Sequence, residues 1–87
     1  MAYILIDPSK FTTISQRTEA VRKDNSLTRG EMCEIMQTSR HLYNQNQKGK
    51  YPYLAIWAIN ICEKLNVNLD WLYYGKGLVY KTNLEDQ

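Results

Sequence analysis

The sequence predicts an all-α domain of five short helices, and three observations carry that expectation. Apolar residues recur at spacings of three and four, most cleanly at Leu54, Trp57, Ala58, Ile61, Cys62 and Leu65. Side chains suited to capping stand directly ahead of the helical stretches, at Thr13, Thr28, Ser39 and Asn68. Glycine and proline punctuate the pattern at Gly49, Pro52, Gly75 and Gly77.

Residues 1–12 read as an N-terminal arm. The run MAYILIDP is apolar and β-branched, and Pro8 closes it. It suits either a short edge strand that pairs with a second subunit or an arm that packs across the helices. The domain proper spans 13–77. Its first helix starts at Thr13, whose spacing to Gln16 is that of a capping box. Ile14, Thr18 and Val21 form the inward stripe, and Arg17, Glu19, Arg22 and Lys23 are expected to face water. Asp24, Asn25 and Ser26 end it.

The second helix starts at Thr28, again with a capping box to Glu31, and buries Met32, Cys33, Ile35 and Met36. After the brief polar break at Gln37 and Thr38, Ser39 caps a third helix reaching to about Lys48, roughly 15 Å long. This helix offers only Leu42 and Tyr43 for burial. So polar a helix gains little from a core, which points to a role outside it. The fourth helix is the central core element, and the fifth, from Leu69 to Tyr74, folds Trp71 and Leu72 back onto it. Residues 78–87 read as a tail, extended or partly strand-like.

Composition bounds the function. Eighty-seven residues, 44% hydrophobic and 23% charged, make one globular domain with one modest core. Its size leaves no room for a separate dimerisation or switch domain, so regulation would lie in expression level, turnover or a partner protein. Net charge is only +2, but no carboxylate occurs between Ile35 and Cys62, where Arg40, Lys48 and Lys50 fall. Such a face can hold phosphate. Cys33 and Cys62 lie in apolar helical patterns without ligand-spaced partners, so both are expected to be reduced core thiols with no metal site. No apolar span of about 20 residues and no signal segment occurs, which points to a cytoplasmic protein without membrane contact. The lone His41 lacks a carboxylate or cysteine partner, and no phosphate loop or nucleophile elbow is present, so neither an enzyme nor a cofactor is expected.

From Leu27 to Gly77, about 51 of the 87 residues, the chain resembles the phage repressor/Cro-like (lambda repressor-like, XRE) helix-turn-helix family. The resemblance rests on Leu27-Thr28 opening the second helix, the run Glu31-Met32-Cys33, Ser39 opening the third helix and the turn at Gly49 and Pro52. It rests above all on the ending LNVNLDWLYYGKG, which is similar to the LGVSLDWLLTG ending of phage-encoded members. Two positions depart from the family pattern. Gln37 stands where glycine is usual, so either it adopts a positive φ or the turn is built differently. Asn46 falls on an inward position and would need hydrogen-bond partners there.

The resemblance implies a sequence-specific regulator, a phage- or prophage-type repressor that binds double-stranded operator DNA as a homodimer. Carried over by position, Ser39, Arg40, His41, Asn44 and Gln45 face the bases, while Thr28, Arg29, Lys48 and Lys50 meet phosphate. The alternative for Arg40, Lys48 and Lys50 is ordinary solvated charge, and for His41 a solvent-facing position. The second subunit would meet the arm at Tyr3 to Ile6, helix five with Tyr73 and Tyr74, or the tail at Leu78 to Tyr80. A competing reading keeps the fold but makes the chain a protein-binding accessory, an antirepressor or an antitoxin, with the apolar arm as the candidate toxin-binding surface.

Overall fold

The computed structural model describes residues 13–81. The arm at 1–12, with its candidate strand, its dimer contact at Tyr3 to Ile6 and its toxin-binding surface, lies outside the described residues, as does the tail beyond Lys81. The described chain is mostly helical: α1 Ile14–Asp24, α2 Arg29–Met36, α3 Arg40–Gln47, α4 Ala55–Leu65 and α5 Leu69–Tyr74. No helix among the described residues is long and apolar enough to cross a membrane.

The helices start where their capping side chains stand. Thr13 and Thr28 each accept from the backbone N–H three residues on, and Gln16 and Glu31 each return a bond to the cap's own N–H. Two orphan donors are satisfied reciprocally at each end. Ser39 accepts from the Leu42 N–H, and Asn68 from that of Asp70. Only α4 begins without a side-chain cap.

The turn between α2 and α3 resolves the question posed by Gln37. Its φ and ψ are 61° and 52°, a left-handed conformation. The Gln37 N–H bonds to the Glu34 carbonyl at 3.3 Å and the Thr38 N–H to that of Cys33 at 3.0 Å. This is a Schellman-type closure, the one a glycine would make with less strain.

α4 packs on α2 and α5, and α1 packs on α5 and α3. Trp57, Ile61, Trp71, Leu72, Met32, Met36 and Val21 fill the space between them, each almost fully buried. Tyr51 stacks on Trp57 and Tyr53 meets it edge-on, at centroid distances of 6.1 and 5.2 Å. Cys33 and Cys62 are free and buried, and burial pushes both thiols up. Ile35, Leu54 and Leu65 are only half-buried, at the margin of the core.

Three expectations are corrected. Arg17 does not face water: it is 5% exposed, and its Nε and Nη2 donate to the carbonyls of Leu72 and Tyr73 at 2.7 and 2.8 Å. It places a positive charge at the C-terminus of α5, where the helix dipole favours one. Glu19 and Arg22 are half-buried rather than solvated. Residues 78–80 have the extended, partly strand-like form expected, but they pack on the domain rather than trail from it. Tyr80 bridges antiparallel to Val67, Val79 is buried, and the Tyr80 hydroxyl bonds Asp24 and accepts from Asn25. The domain therefore continues at least to Lys81, whose N–H bonds the Asn66 carbonyl at 2.9 Å.

Candidate nucleic-acid interface

α3 has two sides of opposite character. At 100° per residue, Leu42, Tyr43 and Asn46 share one arc, and Arg40, His41, Asn44, Gln45 and Lys48 share the opposite one. The inner arc also reaches the rest of the fold through polar bonds. Asn46 is buried, accepts from Ser15 Oγ at 2.7 Å and donates to the Tyr51 carbonyl at 2.9 Å. Gln47 donates to the Ser15 carbonyl at 3.1 Å. Tyr43 is buried and donates its hydroxyl to Glu19. Leu42 and Tyr43 pack α3 on the core, and these directed hydrogen bonds tie it to α1 as well.

On the outer arc Arg40 and His41 are exposed, as are Ser39 ahead of the helix and Lys48 and Lys50 after it, while Asn44 and Gln45 are half-buried. The Ser39 hydroxyl is taken up as the cap of α3. Thr28 is likewise the cap of α2, and Arg29 follows as its first helical residue. The structure thus brings eight of the nine sequence-nominated residues to the two helix starts, the outer arc and the end of α3; Lys50 lies in the loop beyond.

Arg29 is engaged as well. Its Nη1 donates to Asn44 Oδ1 at 2.9 Å, its Nη2 lies 3.3 Å from Glu19 Oε2, and its guanidinium sits 5.7 Å from the centre of the Tyr43 ring. Its side chain nevertheless stays 43% exposed. Glu19 is the hub of this network. Arg22 grips it with two bonds, at 2.7 and 3.1 Å. Burial alone would raise the Glu19 pKa, but the bonds from Arg22 and Tyr43 and the charges of Arg22 and Arg29 outweigh it and bring it to about 2. The same burial, with the carboxylate beside it, pushes the Tyr43 hydroxyl up, so Tyr43 remains a donor.

Sequence reasoning missed Glu19, Arg22 and Ser15 as supports of this face. The available signal was Glu19 and Arg22 at helical spacing on a helix whose opposite side carries the core. Chemically, the arc offers donors and cations without a carboxylate of its own. Among the described residues no group of three His, Cys, Asp or Glu could hold a metal ion. Comparison of the chain with protein-family models, with curated proteins and with solved structures finds no match.

Proposed function

We propose that the chain is a sequence-specific DNA-binding regulator of the phage repressor/Cro-like helix-turn-helix type, in which α2 crosses the DNA backbone and α3 enters the major groove. One observation carries the reading: the outer arc of α3 bears Arg40, His41, Asn44 and Gln45, with Lys48 next after it, on the side opposite the one anchored by Tyr43 and Asn46. Such an arc has what base edges and phosphates require, hydrogen-bonding side chains on a rigid helix. Thr28 and the start of α2, with Arg29, Lys48 and Lys50, supply the phosphate contacts. One such domain reads few base pairs, so two copies on half-sites about one helical turn apart complete the proposal.

The test is binding of the full chain to a labelled duplex at rising salt. Roughly four to six phosphate contacts give a slope of log K against log salt near −4 to −5. Arg40→Ala and Gln45→Ala are expected to lose sequence discrimination with the helical circular dichroism intact. Absence of any duplex binding at about 50 mM salt, where phosphate contacts are strong, sinks the proposal.

A second reading, a protein-binding module that retains the fold, draws on apolar side chains the domain leaves in water. Ile56 and Ile59 on α4 are 51% and 42% exposed, and Leu69 on α5 is 43% exposed. The salt titration decides between the two.

A further inference from the structure

The Asn44 amide can present two different edges to a base, and one of them is already engaged within the protein. The guanidinium of Arg29 is donor-only, so the group facing it at 2.9 Å has to be the amide oxygen, which leaves the NH2 group as the part of the amide that Arg29 does not engage. Arg29 itself is fixed from α1 and α3. Glu19 holds it at 3.3 Å, the buried Tyr43 lies under it, and Glu19 is in turn held by Arg22 and by the Tyr43 hydroxyl. The amide therefore leans on an anchor built into the fold before any ligand arrives.

We propose that Arg29 orients Asn44 so that α3 shows hydrogen-bond donors alone at this position, selecting guanine over adenine. The inference rests on the DNA-binding reading above. An asparagine reads adenine by accepting from N6 while donating to N7, which needs its oxygen turned to the base. With that oxygen engaged by Arg29, the group left for a base is the NH2, and guanine meets it with two acceptors, O6 and N7. Arg29 is a positioning residue in this scheme.

The experiment selects operators from a random duplex pool with the full wild-type chain, Asn44→Ala, Arg29→Met and Arg29→Lys. The position that loses its preference in Asn44→Ala is the one Asn44 reads. Wild type is expected to favour guanine over adenine there by about tenfold or more, the discrimination one good amide contact supplies. Arg29→Met frees the amide and moves that position toward adenine while the rest of the operator stays. Arg29→Lys, still a donor-only cation, keeps guanine. In the DNA-free protein the Asn44 side-chain amide resonances shift on Arg29→Met, a readout independent of binding. Adenine at this position with wild type, a guanine preference untouched by Arg29→Met, or unmoved amide resonances each overturn the proposal and leave the DNA-binding reading standing. Failure of the wild type to enrich any sequence overturns that reading, and this proposal with it.

Discussion

Replacing Glu19 by glutamine removes one charge from the centre of the α1–α2–α3 network and leaves its shape nearly unchanged. Glutamine still accepts from the Tyr43 hydroxyl, but it gives up the charge that Arg22 and Arg29 share. The Glu19 carboxyl is 15% exposed, and its pKa falls from 4.5 to about 2 on folding. A pKa lowered in the folded state means that the stabilisation is complete above the unfolded value and disappears as pH falls through the folded one. A carboxyl held this far below its unfolded value contributes roughly 3 kcal/mol above pH 5, about half of that or less at pH 3 and little at pH 2. Urea unfolding, followed by fluorescence of the buried Trp57 and Trp71, measures both chains across this range. Every other carboxylate titrates in both chains, so subtracting one curve from the other isolates Glu19. Glu19→Gln is expected to be less stable by about 2–3 kcal/mol at pH 7 and to converge on wild type near pH 2. Two curves that stay parallel, or a loss under about 0.5 kcal/mol at pH 7, would refute the idea that this carboxylate holds the three helices together.

Three further outcomes follow from named contacts. Gln37→Gly relieves a left-handed backbone at an exposed position and is expected to stabilise by about 0.5–1 kcal/mol, read as a higher urea midpoint at constant slope. Asn46→Ala strands the Ser15 hydroxyl and the Tyr51 carbonyl and is expected to cost about 1–3 kcal/mol in the same assay. Arg17→Met leaves the Leu72 and Tyr73 carbonyls without their cation, so amide exchange at Gly75 and Lys76 is expected to accelerate well beyond that of α4.

What was legible in the sequence was local. Thr13, Thr28, Ser39 and Asn68 cap helices by reaching two or three residues ahead, and that information is contained within one turn of chain. The stripe from Trp57 to Cys62 is equally local and marks the face that is buried. The two arcs of α3 follow from periodicity, including the inward place of Asn46 and its need for partners. What escaped was tertiary. Arg17 reads as a surface residue because its partners are backbone carbonyls 55 and 56 residues away, which no pattern of side chains records. The bond from Arg29 to Asn44 spans 15 residues and depends on how α2 and α3 pack. The extended form of Leu78 to Tyr80 was legible, but its docking was not, because the pairing is a single bridge to Val67. Gln37 left two alternatives open, and the surrounding turn imposes the positive φ that its residue type disfavours.

The grip of Arg17 on α5 and of Asp24 and Asn25 on Tyr80 also governs when the protein can exist. Both contacts join the first described helix to the last described residues, across 55 residues or more. At translation rates of about 5–20 residues per second, α1 waits seconds for its partners to be synthesised. The bonds between Ser15 and Asn46 and Gln47 are within reach earlier, but the face of α4 that α5 covers stays open until α5 is made. A chain truncated before α5 is therefore expected to be a substrate for proteases rather than a weak version of the whole.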